Sequence, residues 1–358
     1  MATTKVDFSA FRFGAEEVKA FNEIIIKKVL ESPELNLIHT FETNIRNDQE
    51  IGFIEGSLGL IGKAAQGCGT RTPDEKSLAT SVKTWSPKRW EVYLQMCWTD
   101  LESNFGRYLR NLGVDVSDLT NTEYAKFLEP FIIKGIKNML FRLVWIGDTT
   151  AATTADSPAG VFTAGTNTAY FNLIDGIFKQ LGVIIAATPA RKTTIAANGE
   201  ATFALQDSAF TNALAWSTFL SLIDDAPTEL KELDNTVVIM TDSCRRRIKR
   251  HLQSESIDFT LEQSINGMQL LKADGYEIIG VPMWDKLIRT YQSNGTKYNS
   301  PHRMLFTTKD NLPVGFEGNE AFGAFKLWQD DVTEYTYIKT KDALDAKVLE
   351  DNLIQYAI

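Results

Sequence analysis

Residues 52–76, GFIEGSLGLIGKAAQGCGTRTPDEK, limit the fold of this chain more than any other stretch. The run is rich in glycine and ends on a turn signal at Thr72-Pro73-Asp74-Glu75. From Ser77 to Trp98 the chain then reads extended, with Trp90, Val92, Leu94, Met96 and Trp98 on alternate positions. Mixed residues 35–54 offer candidate strands on the other side. Two extended arms around such a tip form a long two-stranded projection. A ribbon of that kind is marginal alone in water and needs another surface to lie on. Pro87 inside the second arm predicts an edge strand or a break at that point.

Elsewhere the pattern is helical and strand-like in turn. Residues 1–13 read as an extended arm, followed by a helix over 15–30 with Val18, Phe21, Ile25 and Val29 on one stripe and a stop at Ser32-Pro33. At Trp98 the period switches from two to 3.6. Thr99–Glu102 (TDLE) is a capping box that turns strand into helix without a loop, and Gly113 closes that helix. A second box, Thr120–Glu123 (TNTE), opens the longest helix, 122–146, with a stripe through Tyr124, Phe127/Leu128, Phe131, Gly135, Met139, Leu143 and Ile146. At 1.5 Å per residue it spans roughly 35 Å, and Pro130 inside it predicts a bend.

The Ala/Thr/Ser-rich stretch 148–168 reads as a linker into a second unit. There, Tyr170–Leu181 is amphipathic and stops at Gly182. Residues 193–205 suggest a hairpin turning at Asn198-Gly199, and a helix follows over 209–223. TVVIMTDSCRRRIKRHL (236–252) reads as a buried strand running into a helix capped by Asp242 or Ser243. YEIIGV (276–281) and MLFTT (304–308) are further strands. The alternation returns in FGAFKLW and VTEYTYI, and 341–358 fits helix or strand equally. The sequence shows no internal repeat.

Chemistry is thinly signalled. GSLGLIG (56–62) spaces glycine as GxxGxxG with no Lys-Ser/Thr after it, which is a closely packed hairpin rather than a phosphate loop. His39, His251 and His302 stand in no HExxH or HxH context, and Cys68, Cys97 and Cys244 lie far apart with no CxxC, so no metal set is implied and a reducing compartment is the simplest setting. Arg245, Arg246, Arg247, Lys249 and Arg250 surround their helix, as solvated or ion-paired side chains do. Asp224-Asp225 and Asp330-Asp331 are sequence neighbours that point apart. No catalytic constellation, cofactor motif, signal peptide or membrane span is legible. The net charge of −9 argues against a protein whose main task is gripping nucleic acid.

Taken in order, these pieces resemble the major capsid proteins of tailed phages, a fold shared with encapsulin shells. The resemblance rests on the element order and on short phrases, RLVWIGD (142–148), VVIMTDSCRRRIKRHL and YEIIGVPMW. It implies an α+β, HK97-like capsid fold. An N-terminal arm and first helix would occupy 1–45 and an E-loop hairpin 46–90. A peripheral domain (P-domain) would cover 91–165 with spine helix 122–146, an axial domain (A-domain) 166–310, and 311–358 would return to the peripheral domain. It further implies a non-enzymatic structural subunit, made in the host cytoplasm and ending in the virion, that assembles with itself into the hexamers and pentamers of an icosahedral head. The partners it implies are a separate scaffolding protein, since the arm begins at Met1, together with a portal and decoration proteins. The shell would enclose double-stranded DNA without reading its sequence. No cofactor, metal or membrane enters. Leu58, Leu60, Arg71, Pro73, Leu78 and Trp85 are the expected inter-subunit face of the E-loop, while Trp90, Val92 and Trp98 would face the subunit's own spine helix. An encapsulin-type compartment shell, or an α/β nucleotide-binding enzyme built on 165–310, are the competing expectations.

Overall fold

The structure is a computed structural model that describes residues 28, 33–55, 79–97, 121–151, 162–256, 260–261, 268–318, 326–330 and 335–358. The expected first helix apart from Lys28, the capping box at Thr99 and the hairpin tip fall outside these residues.

A short helix α1 (Pro33–Asn36) leads into strand β1 (Thr40–Thr43). Strands β2 (Glu50–Glu55) and β3 (Ala79–Thr84) form an antiparallel ribbon in which Glu50 faces Thr84 and Glu55 faces Ala79. The chain breaks pairing over Trp85, Ser86 and Pro87, as the proline predicts, and resumes as β4 (Lys88–Cys97). Helix α2 (Asn121–Ile146) runs through Pro130 without interruption. Its buried stripe is offset from the expected one. Leu128, Ile132, Ile136, Met139 and Leu143 face inward, while Phe131 is 65% exposed. A 3.6-residue period admits either Phe131 or Ile132 after Phe127/Leu128, and the neighbouring Ile136 decides for the isoleucine row. Over its last turn the helix is buried on every side, from Leu143 to Ile146.

The second unit begins with helix α3 (Ile177–Ala187), which starts later than Tyr170 and continues through Gly182. One mid-helix glycine costs only about 1 kcal/mol, and the buried row Ile177, Phe178, Leu181, Ile184 outweighs it. Strand β5 (Lys192–Thr193), a 3-10 turn at Ala196–Gly199, and helices α4 (Phe203–Ala209), α5 (Asn212–Asp224) and α6 (Thr228–Lys231) follow. The expected hairpin over 193–205 is therefore absent. The Asn198 side chain turns inward instead and donates to the His302 carbonyl. Strand β6 (Thr236–Thr241) enters helix α7 (Asp242–Ser254) with Thr241, not Asp242 or Ser243, at the N-cap position. Strands β7 (Thr260–Leu261), β8 (Gln269–Ala273) and β9 (Tyr276–Val281), helix α8 (Pro282–Tyr291) and strand β10 (Met304–Thr308) complete this part. The tail supplies β11 (Pro313–Phe316), β12 (Lys326–Asp330), β13 (Tyr335–Ala346) and β14 (Ile354–Ala357).

These strands make two large sheets. In the first, β13 is the central strand. All of β4 pairs along one edge of it, while β12 and then β11 share the other edge, with β1 outside β11. In the second, the order is β5-β14-β10-β6-β9-β8-β7. The closing residues thus do not all return to the first sheet as expected, because β14 inserts between β10 and β5 of the second. Alternation along the second sheet builds two cores. Val237, Ile239, Ile279, Leu305 and Tyr356 point to the side of α2, α3 and α8. Val238, Met240, Ile278, Phe306 and Ala357 point to the side of α5 and α7.

The two sheets are joined without a slack connection. Gly147, just past α2, and Gly176, just before α3, meet backbone to backbone. The Gly176 amide donates to the Gly147 carbonyl at 2.8 Å, and a Cβ on Gly176 would lie 2.7 Å from the Gly147 nitrogen. Beside them Lys179 reaches buried Asp148 at 2.6 Å and Asp175 at 2.7 Å. Burial opposes the charge on Lys179, but the hydrogen bonds to Asp148 and Asp175 outweigh it and raise its pKa. The described flanks of the Ala/Thr/Ser-rich stretch belong to this joint. Phe162 is fully buried against Phe171, and the Thr163 amide donates to the Tyr291 carbonyl.

Candidate functional site

Reactive side chains come together at one place that sequence spacing does not show. Cys244 on α7 and His302 before β10 lie 58 positions apart, yet the Cys244 Sγ stands 4.0 Å from the His302 Nδ1. Burial pushes the thiol up to about 12 and the imidazole down to about 4. Both groups are neutral and shut away from solvent, and His302 stacks on Phe210 at 4.0 Å. The pair therefore packs the core and provides no nucleophile. Among the described residues no group of His, Cys, Asp and Glu is arranged to hold a metal ion, and no helix is long and apolar enough to cross a membrane.

The strand–helix unit at β6–α7 is where the competing enzyme reading would seek a nucleotide phosphate. Its first turn already holds carboxylates. Asp242 pairs with Arg245 at 2.8 Å and with Arg246 at 3.0 Å, and Asp285 accepts from the Ser243 amide at 3.3 Å. Burial raises the pKa of Asp285, with Asp242 close by. Gly280 of β9 lets this arrangement form, since a Cβ there would lie 2.6 Å from the Arg245 Cδ. Arg247 is likewise used within the chain, on Asp207 at 2.6 Å. A helix start filled by its own acids does not favour phosphate.

What the fold leaves open is surface. The β2–β3 ribbon pairs with no other strand among the described residues, so within them both of its outer edges are sheet edges. Its root is rigid. The Trp85 amide donates to the Gln49 carbonyl, the Asp48 amide donates to the Trp85 carbonyl, the Ser86 amide donates to Asp345 at 2.8 Å, and the Lys83 ammonium donates to the Val348 carbonyl. Trp85 is 0% exposed, seated in its own chain against Ile45 and Gly315. This corrects the expectation that Trp85 faces an adjacent subunit. A lone large aromatic at the base of a ribbon gains more from the subunit's own core than from a distant neighbour. Leu58, Leu60, Arg71, Pro73 and Leu78 lie outside the described residues. Trp90 is buried in the same cluster as α2 and Val92 packs against it, whereas Trp98 lies outside the described residues.

The second open surface is the far side of the first sheet. Tyr93 of β4, Trp328 of β12 and Tyr337 of β13 stand on that side with ring centroids 5.3–6.1 Å apart and planes within 20° of parallel. Tyr93 is 55% exposed, and the Lys339 ammonium lies 5.4 Å from its ring centroid. Lys326, Trp328, Lys339 and Lys341 line a shallow concavity of about 410 Å³ beside the rings.

No family model and no curated protein matches this chain in sequence. Solved structures do match in fold. A chain of the satellite phage P4 procapsid, solved with its size determination (Sid) protein, is similar with a TM-score of 0.51 at 12% identity over 94% of this chain and 98% of that one. A chain from Mycobacterium phage Ogopogo is similar at a TM-score of 0.46 and 10% identity, over 91% of both chains. A chain of the capsid of a native GTA particle is similar at 0.44 and 8%, over 90% and 89%. The first of these spans nearly the whole of both chains, and with it the fold is established as the α+β, HK97-like capsid fold.

Proposed function

We propose that this chain is a major capsid protein, a structural subunit that assembles with copies of itself into the hexamers and pentamers of an icosahedral phage head around double-stranded DNA. The observation that carries this reading is the β2–β3 ribbon, which is rooted at Trp85 yet pairs with no further strand among the described residues. Two strands of six residues extend about 20 Å. A ribbon that long is stable when another surface takes up its edges, and repeated copies in a closed array supply that surface many times over. Leu58, Leu60, Arg71, Pro73 and Leu78 are assigned to the contact with the neighbouring subunit. The net charge of −9 supports a container from which packaged DNA is repelled rather than gripped. A scaffolding protein directs assembly and a portal completes the particle, whose mature location is the virion.

Deletion of residues 58–75 tests the reading. The full chain, expressed with a scaffold and viewed by negative-stain microscopy, should form shells or capsomer rings. The deleted chain should stay folded by circular dichroism and form neither. Shells built from the deleted chain, or only small globular oligomers from the full one, would reject it.

A further inference from the structure

We propose that the outward side of the first sheet, around Tyr93, Trp328 and Tyr337, is a docking surface for a second protein, which it takes by an acidic segment bearing an aromatic or proline side chain. This goes beyond the shell reading, because the three rings and the lysines beside them all belong to one chain.

The three rings are not needed to build the core. On the same strands, Trp90, Thr336, Ile338 and Thr340 turn the other way and are buried. Strand pairing alone would leave Tyr93 and Trp328 two strands apart, with β13 between them, yet their ring centroids lie 6.1 Å from each other. Tyr93 is exposed and Trp328 and Tyr337 are half-buried beside it. A partly open aromatic cluster edged by charged groups has the layout of an interface hot spot, with apolar anchors at the centre and a polar rim that excludes water around them.

The rim selects the occupant by charge. Lys326, Lys339 and Lys341 converge on the rings in a chain of net charge −9. Lys339 is matched by Glu91 at 2.9 Å, and among the described residues Lys326 and Lys341 meet no carboxylate. Two copies of this face set against each other would place lysine on lysine, which disfavours a symmetric self-contact. Nucleic acid is disfavoured by scale. A duplex contact rests on about six to ten neutralised phosphates, against three lysines here on an acidic body. An acidic peptide segment needs only the local match, with one ring or proline laid on the aromatic cluster.

The test titrates the full-length chain with a short fluorescent peptide alternating Glu with Trp and Pro, with its Lys-for-Glu counterpart, and with a single-stranded oligothymidine of similar length. The acidic peptide should bind and its basic counterpart should not. The charge-reversed variant Lys326→Glu/Lys341→Glu should weaken binding about tenfold or more, with the milder Lys326→Gln/Lys341→Gln between it and wild type. Trp328→Ser should also lose binding while circular dichroism and shell formation stay as in wild type. Equal binding of both peptides, preference for the oligonucleotide, or indifference to the lysine variants would overturn the proposal. So would loss of shells in these variants, which would make the face a contact between copies. If the wild-type chain forms no shells yet binds the acidic peptide in this way, the shell reading fails and the docking surface stands.

Discussion

Trp85 and Gly315 meet where a side chain would begin: a Cβ added at Gly315 would stand 3.2 Å from the Trp85 Cη2 atom and 2.6 Å from the Ile45 Cδ1 methyl. The root of the ribbon is thus locked by the absence of an atom. Gly315→Ala should destabilise the subunit by about 1–3 kcal/mol in urea denaturation, the usual cost of overfilling a packed site. Adding Ile45→Val, which removes the nearer methyl, should return part of the loss. If Gly315→Ala proves neutral, the socket is looser than its geometry.

The joint at Asp148 and Lys179 predicts a larger effect. Lys179→Met removes the ammonium that pairs with the buried carboxylate of Asp148, a change that costs about 3–5 kcal/mol. The double variant Asp148→Asn/Lys179→Met should cost much less than Lys179→Met alone. Thermal melts of the four forms give the coupling directly, and additive losses would show that the two groups act independently.

The buried histidines set a limit on acid stability. The His39 Nδ1 donates to the Leu312 carbonyl; the ring is otherwise enclosed by Leu35, Phe41, Val144, Trp145 and Val314, and burial lowers its pKa to about 4. Among the described residues no charged side chain lines that enclosure. His302 is lowered to about 4 as well, by burial first, with Arg247 and Arg289 adding to the lowering and the Gln206 carbonyl and Asp207 opposing it. A histidine whose folded pKa lies below its unfolded value leaves more protons on the unfolded chain. Its stabilisation is therefore complete above pH 6.5 and falls away between 6.5 and about 4. The loss is roughly 3 kcal/mol per histidine across that window. Urea melts from pH 7.5 to 4.5 should show this slope, and His39→Asn should flatten it by about half. A stability profile flat over that range would contradict the burial of both rings.

Cys244 should be inert while the chain is folded, since its thiol is buried and pushed up to about 12. In a variant with Cys68→Ser and Cys97→Ser, labelling by an aromatic disulfide at pH 8 should proceed only as fast as the chain opens. Denaturant should then release it in step with the unfolding curve. Rapid labelling in native buffer would place the residue elsewhere.

Much of the scaffold was readable because its periods are unmistakable. The two-residue alternation of Trp90, Val92 and Met96, the break at Pro87, the long spine to Ile146 and the buried strand entering CRRRIKRHL all stand where the sequence put them. Failures occurred where long-range contacts overrode local preference. Asn198-Gly199 is a strong hairpin signal, yet Asn198 is taken by the His302 carbonyl 104 positions away. The ambiguous tail became strand because β4 and β10 each offered an unpaired neighbour edge. Trp85 looked like an outward contact because nothing in its neighbourhood announces the socket formed by Ile45 and Gly315. The aromatic and lysine side of the first sheet was unread for a related reason. Tyr93, Trp328 and Tyr337 lie in three separated segments, and only the register of β4, β12 and β13 gathers them.

The position of β14 has a bearing on how the molecule comes into being. Its four residues fill an internal slot beside β10, a strand translated some fifty positions earlier, and β5, translated more than a hundred and sixty positions earlier. The β10 edge of the second sheet, and β5 beyond it, therefore stay unpaired with β14 until residues 354–357 have cleared the ribosome. Chains lacking that strand would leave β10 without one of its two neighbours and β5 without its pairing partner.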